Sequence, residues 1–334
     1  MLKIGFIGCG GIARTHADRI KQLRNARIVA ASDVVGATAQ KFAADYGVEQ
    51  QFDDYRKLLK VKEIDAIWVC TPTFQHPQPV IAAARAGKHV FCEKPMALKK
   101  ADAARMVEAC HRADVLLTIG FVRRFDTFWS KFKQIIQSGA VGRPAVWRFA
   151  AGGKPPHPWF RDRNKGGGPL IDGAIHNYDF ALQMFGPVSS VQSSSLQFDT
   201  TSVGADTATA ILNFESGDQH ALMWSWGVAA GAPVTSLNDF IGPKGTLQFG
   251  MTAQTAPASF NPQTQGAFTL KAANGREKVY TYRKKDMFAE QAKHVTRCFE
   301  RSEQPLVTAE DGLAALSVAD AVLRAGRNQS TVKL

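Results

Sequence analysis

Residues 2–13, LKIGFIGCGGIA, decide how the rest of the chain is read. Residues 3–8 form an apolar run bounded by glycines, the pattern of a buried strand. Residues 12–23 place their apolar side chains at helical spacing. Between the two, Gly8, Gly10 and Ala13 fit G-x-G-x-x-A. Each small residue has a steric reason. Gly8 permits a tight turn, Gly10 lets backbone reach a pyrophosphate with no Cβ in the way, and Ala13 lets the helix pack close to the sheet. Past Gly11 and Ile12 the helix start supplies free N–H groups and the positive end of its dipole to phosphates. The pattern alone is weak. Its place, behind a strand and at the opening of a helix, gives it force.

Outward from this turn, residues 27–32 are a second apolar run, and Asp33 ends it, 23 positions after Gly10. A carboxylate there accepts from both ribose hydroxyls of the adenosine half and repels a 2′-phosphate. Val34 and Val35 follow, not Arg or Lys, so NAD is favoured over NADP. The bland alternative is a strand–helix turn with an aspartate at the helix cap.

The same grammar continues. Helices are expected at 37–46, 78–86 and 101–113, and strands at 64–70, 88–92 and 115–119. Short strands alternating with helices mean βαβ units and a parallel sheet covered on both faces. After about Gly120 the pattern changes. Helical stretches at 126–137 and 169–184 precede alternating strand-like runs at 188–198, 207–214, 220–226, 237–241, 246–249, 268–272 and 278–282. Glycine-containing turns join several of them, which predicts an antiparallel sheet. Residues 251–266 read as a loop, and helices at 286–300 and 309–325 close the chain. The fold class expected is α/β: a doubly wound parallel sheet of the Rossmann type over 1–121, then an α+β domain over 122–334 with a large, open, mainly antiparallel sheet.

Composition sets outer bounds. The 334 residues are long for one core, and 45% hydrophobic with 21% charged residues is ordinary for a globular protein. No run of eighteen apolar residues suggests a membrane span, and the start lacks a basic segment before an apolar one, so a cytoplasmic location is expected. Five cysteines without C-x-x-C spacing read as reduced, buried thiols. Cys9, inside the glycine turn, reads as a small filler rather than a reactive thiol. The net charge of +12 raises nucleic acid as a partner, but the basic residues are dispersed and no finger or RNP-like motif is present. A positive field favours an anionic cofactor or substrate instead.

Two further segments carry chemistry. FCEKPMAL at 91–98 follows an apolar strand, so Glu93, Lys94 and Pro95 lie at its carboxyl end, where ligands bind in open parallel sheets. Proline restricts the residue before it, and an ammonium there can stabilise an alkoxide. GGGPLIDGAIHNYD at 166–179 sets Asp172, His176 and Asp179 on one face if 169–184 is a helix, with Pro169 suited to its first turn. The glycines before it would let substrate or cofactor approach the backbone. Asp172 and His176 could ligate a metal, but third and fourth ligands and HExxH are absent, so no metal is expected. A polar helix face is the structural alternative. Histidine as acid–base group is preferred, because alcohol oxidation needs a group that takes a proton near neutral pH.

With GFIGCGGIA, CTPTFQHP at 70–77, FCEKPMAL, GFVRRFD at 120–126 and GGGPLIDGAIHNYD in this order, the chain resembles the Gfo/Idh/MocA family, the glucose–fructose oxidoreductase and inositol dehydrogenase relatives. The resemblance implies hydride transfer between a nicotinamide and a secondary alcohol of a sugar or polyol, and homodimers or homotetramers joined through the second sheet. It implies Lys94, Asp172 and His176 as catalytic residues and a cis bond at Pro95. Thr71, Pro72, His76 and Glu93 become cofactor-wall candidates beside Lys94. For substrate, Trp159 or Phe160 could stack on a sugar ring, Arg161, Arg163 or Lys165 could hold an anion, and Arg123 or Arg124 could contact substrate or fix the domains. Val122 stands where the family often has a polar residue. Tyr178 reads as helix packing. Two other functions compete: a glycoside-cleaving enzyme using transient oxidation, and a silent NAD- and sugar-binding regulator.

Overall fold

The computed structural model describes residues 1–334 except 155–156, 230–231, 233, 235 and 252–255. Contacts divide the chain into two compact units. Met1–Val122 clusters with Asp286–Leu316, and Arg123–Lys285 clusters with Ser317–Leu334.

The first unit runs β1 (Leu2–Ile7), α1 (Gly11–Ile20), β2 (Ala26–Ser32), α2 (Gly36–Tyr46), β3 (Gln50–Phe52), α3 (Tyr55–Leu58), β4 (Ala66–Val69), α4 (Pro77–Arg85), β5 (His89–Cys92), α5 (Lys100–Arg112) and β6 (Leu117–Ile119). Its six strands are parallel in the order β3-β2-β1-β4-β5-β6. This is the dinucleotide-binding order, with the switch between β1 and β4. Ile7 pairs with Val69, and Val69 with Cys92. The residues that follow them, Gly8, Cys70 and Glu93, therefore leave the sheet side by side. Ile4, Phe6, Trp68 and Phe91 fill the centre, with the Trp68 and Phe91 rings stacked 5.4 Å apart.

The second unit adds α6 (Thr127–Gln137), β7 (Val146–Gly152), α7 (Ile175–Phe185), β8 (Val188–Leu196), β9 (Thr207–Phe214), β10 (Gln219–Ser225), β11 (Leu237–Gly242), β12 (Gly245–Phe249), β13 (Gln265–Ala272) and β14 (Glu277–Arg283). After it come α8 (Met287–Arg301), α9 (Ala309–Asn328) and β15 (Val332–Lys333). The nine strands lie in the order β14-β13-β12-β11-β7-β10-β9-β8-β15, antiparallel except for β7 beside β10. One face is covered. In β9, Ala208, Ala210, Leu212 and Phe214 are buried while Thr209 and Ile211 are exposed. The covered face packs aromatic side chains: Phe132 of α6 lies 4.4 Å from Phe240, 5.4 Å from Phe268 and 5.9 Å from Phe180, between ring centres.

Three parts of the architecture differ from the sequence expectation. The segment Asp286–Leu316, assigned there to the second domain, clusters with the first unit. Ala292, Val295 and Phe299 of α8 form a buried stripe in the same core as Ala17, Ile20 and Trp68, and Thr118 Oγ1 donates to the Val307 carbonyl at 2.7 Å. Helical periodicity shows that such a stripe exists but not which surface receives it. The short β3 and α3 are too brief to leave a periodic signal. The strand β7 was not expected because its residues, VWRFAAG, are mostly half-buried on both faces and give no clean alternation.

Replacing Phe132 by Ala is predicted to cost about 3–5 kcal/mol, the usual range for a fully buried phenylalanine. Urea unfolding of the two proteins measures it, and a loss below about 1 kcal/mol would contradict the packing described.

Candidate active site

The nucleotide turn of the first unit is built by backbone. Gly8 has φ +88°, and a Cβ on it would stand 2.7 Å from the Cys70 carbonyl carbon and 2.8 Å from the Thr71 nitrogen. Only glycine meets both demands. At Gly10 and Gly11 the space a Cβ would fill is empty to 4 Å. Helix α1 starts there, its first N–H groups having no partner within the helix. Ala13 is fully buried against the sheet. Ile12 is half-buried and packs against the core.

Asp33 braces the same turn. Its Oδ2 accepts the Cys9 N–H and its Oδ1 the Val35 N–H, both at 2.9 Å. These bonds fix the carboxylate at the end of β2, leaving each oxygen a lone pair for a ribose hydroxyl. Val34 is 80% exposed and brings no cation for a 2′-phosphate. Burial pushes the Cys9 thiol up to about 12, the value of an inert filler. An open cradle over a helix start, with an oriented carboxylate beside it, fits NAD.

The neighbouring turns form the rest of this edge. Thr71 Oγ1 is buried without a hydrogen-bond partner among the described residues. Thr71 is also held by His76, whose Nε2 lies 2.8 Å from the Thr71 carbonyl and whose Nδ1 lies 2.8 Å from that of Pro95. Burial pushes the His76 imidazole down, against the pull of these two carbonyls and the Glu93 charge. Pro72 precedes a short turn, and the Lys94–Pro95 peptide is cis. Glu93, the other cofactor-wall candidate, is buried, with Oε1 2.6 Å from Nε2 of His16 on α1 and Oε2 accepting the Lys94 N–H at 3.0 Å. Burial pushes its carboxyl up, but the bond and charge of His16, with those of Lys94, bring it below its usual value. Sequence reasoning missed His16. Its only signal was a polar residue on the buried side of α1, four after Ile12.

In the second unit Asp172 and His176 are both buried, at 4% and 9% exposure. They do not lie on one continuous α-helix. Pro169–Gly173 forms a wider turn in which the Ala174 N–H donates to the Pro169 carbonyl at 2.8 Å, and α7 begins after it. Gly173 allows this, because a Cβ there would meet the Trp224 indole nitrogen at 2.7 Å. The preceding glycines also serve the fold. Gly167 and Gly168 have φ +85° and +77°, and a Cβ on Gly166 would stand 2.4 Å from the Phe160 Cα. Asp179, also buried, is held by Arg124 and Gln183. Its carboxylate takes Nε of Arg124 at 3.1 Å on each oxygen and Nε2 of Gln183 at 3.2 Å. Arg124 is thereby tied to α7 within this unit.

Arg123 differs from its neighbour. Its guanidinium lies over the Trp129 ring at 5.1 Å, its Nη1 is buried without a partner among the described residues, and burial pushes its pKa down to about 10. Asn177, between His176 and Tyr178, is fully buried with both amide atoms unpartnered among the described residues, and sequence reasoning missed it too. Tyr178 is fully buried and its hydroxyl is pushed up by burial, as helix packing requires.

The basic and aromatic loop at 154–165 is described except for 155–156. Trp159 and Phe160 stack on each other at 3.8 Å, and Phe160 meets Trp226 edge-on at 6.1 Å. Arg161 is engaged by Asp199, whose carboxyl the Thr201 hydroxyl and amide and Arg161 together hold at about 2. Lys165 pairs with Asp162 at 3.5 Å, and Arg163 is exposed. The pairing of Arg161 ties this loop to the segment after β8.

Comparison with known proteins places these features. The chain is 32% identical to a myo-inositol 2-dehydrogenase of Thermotoga maritima over all of its own length and 98% of that protein. The chain belongs to the Gfo/Idh/MocA family. The model of that oxidoreductase family, with its NAD-binding Rossmann fold, matches residues 2–121, and the model of the family's C-terminal domain matches 129–248. An inositol 2-dehydrogenase of Rhizobium meliloti is 29% identical over 97% of the chain and 96% of its own length. A crystal structure of a probable dehydrogenase from Thermotoga maritima superposes with a TM-score of 0.79 at 30% identity, over 99% of this chain and 98% of the other. As a member of this family the protein is an NAD-binding oxidoreductase. In its nucleotide unit, Asp33→Ser is predicted to weaken NADH binding about 10- to 100-fold, the worth of hydrogen bonds to a charged acceptor, and NADPH binding much less. Fluorescence titration with both nucleotides measures this, and an unchanged ratio of the two affinities would contradict the role of Asp33.

Proposed function

We propose that the protein is a dehydrogenase of a cyclic polyol or sugar, oxidising a secondary alcohol to a ketone with His176 as acid–base group. The observation that carries this reading is the burial of Asp172, on the wide turn, and of His176, in the first turn of α7, within five residues of each other. Two titratable side chains withdrawn from water within five residues mark a candidate site for chemistry. The full-length similarity to inositol 2-dehydrogenases supports a ring polyol as the substrate class.

The bound nicotinamide supplies the hydride acceptor. His176 takes the hydroxyl proton as the carbinol hydrogen departs, and returns it in the reverse direction. Lys94, at the carboxyl end of β5, stabilises the negative charge that develops on oxygen. Asp172 orients His176 or accepts a hydrogen bond from the substrate. Arg123 offers an unpaired, buried N–H to a substrate oxygen, and Trp159 or Phe160 an aromatic face to a ring. In keeping with the family, the open face of the nine-stranded sheet joins two or four copies. On that face Met223 and Ile211 are candidates for cover, whereas Trp224 lies on the helix side against Gly173.

His176→Asn is predicted to lower turnover roughly 10²–10⁴-fold while NADH still binds, the contribution of a placed proton acceptor. The assay follows reduced nicotinamide with inositols, aldoses and sugar acids. Turnover within a few-fold of the parent would overturn the assignment. Glycoside cleavage without accumulation of NADH would favour transient oxidation, and sugar-dependent binding with neither reaction a regulator.

A further inference from the structure

Two buried histidines grip the Glu93, Lys94, Pro95 turn from the two sides of β5. On one side, Nε2 of His16 stands 2.6 Å from Glu93 Oε1, and Glu93 Oε2 takes the Lys94 backbone N–H at 3.0 Å. On the other, the His76 ring lies between the Pro95 and Thr71 carbonyls, 2.8 Å from each, and its single N–H when neutral donates to one of them. Both histidines are 1% exposed and Glu93 is 7% exposed. His16 sits on α1, packed edge-on against Phe91 at 4.9 Å and Phe288 at 5.6 Å, so its ring has no room to turn away. Space beside the carboxylate is equally limited, since a Cβ on Gly120 would lie 3.0 Å from Glu93 Oε2.

A buried hydrogen-bonded pair brings only modest net stability, because desolvation offsets much of the attraction. Its lasting effect is geometric: it sets one backbone against another. We infer that His16 is a positioning residue for Lys94, tying the backbone of its turn, through Glu93, to the helix whose N-terminus faces the dinucleotide. This rests on the reading of Lys94 as the residue that stabilises the alkoxide. It adds a residue that touches neither substrate nor cofactor, and a rigid link between the phosphate-binding helix and the reacting oxygen. His76 supplies the second tether, so the turn is held at the residues before and after Lys94.

The test compares His16→Gln with His16→Asn. A glutamine amide places an N–H where the imidazole Nε2 sits, whereas asparagine reaches only as far as Nδ1. His16→Asn is predicted to lower kcat roughly 10²-fold, the effect of a small misplacement of a catalytic group, with KM for the polyol and NADH affinity changed far less. His16→Gln should retain most of the parent kcat. Glu93→Asp shortens the same link from the other end and should match His16→Asn. The double variant should add little to either, since residues of one link are not additive. Equal losses in the Gln and Asn variants, or additive losses in the double variant, would overturn the inference. A readout without turnover separates this from the proposed function. The rate at which acetic anhydride labels Lys94, read by peptide mass spectrometry, should change in His16→Asn and in Glu93→Asp but not in His16→Gln. If Lys94→Met leaves turnover intact, the assignment of Lys94 fails. If it does not, and the labelling rate is the same in all variants, the His16 link fails alone. Should His16→Asn not fold, the Gln and Glu93→Asp variants carry the same two comparisons.

Discussion

At Gly8 two stretches of backbone pass too close for any side chain to stand between them. The end of β1 runs against the end of β4, and the space where a Cβ would sit is taken by the Cys70 carbonyl and the Thr71 nitrogen. Everything at this edge of the first unit follows from that approach. It turns the chain into α1 with its first N–H groups facing outward. It brings the Cys9 N–H to the Asp33 carboxylate, and so aligns that carboxylate with the turn. It also points the buried side of α1 at the sheet, where His16 meets Glu93. A nucleotide cradle made of backbone cannot be replaced by other side chains, which is why so small a motif is so informative in its context.

Buried charge divides the polar residues into two kinds. Arg124 with Asp179, and His16 with Glu93, are enclosed and partnered, and they hold segments in place. Arg123 is enclosed over an aromatic ring with one nitrogen unpartnered among the described residues. A guanidinium in that state is suited to an oxygen-rich ligand. Neighbours in sequence thus differ, Arg124 paired with a carboxylate and Arg123 set over an aromatic ring.

How much of this could be read from the residues depended on the range of the physics involved. The Rossmann unit was legible because each of its strands is buried on both faces and its glycine turn has a local steric cause. The one-sided sheet was legible in β9, whose alternation survives intact. Three features were not. The strand β7 has no clean alternation. Helix α8 shows an apolar stripe but not the core that receives it. The turn at Pro169–Gly173 runs close against Trp224, more than fifty residues later, where only a glycine leaves room. At the site, Asp33, Asp172 and His176 stood out by motif, whereas the hold of Arg124 on Asp179 spans 55 residues and left no local signal. His16 left only a weak trace, because a lone histidine on a buried helix face is usually a packed one. Its partner lies 77 residues away.

The central claim is that a nucleotide seated on the Gly8 turn receives hydride directly from a carbinol carbon. The most direct measurement uses a polyol that the protein turns over, deuterated at the carbon oxidised, with the nicotinamide recovered and examined by NMR. Direct transfer predicts one deuterium at nicotinamide C4, on a single face, for each ketone formed. Reduced nicotinamide without deuterium, or deuterium released to water, would contradict it.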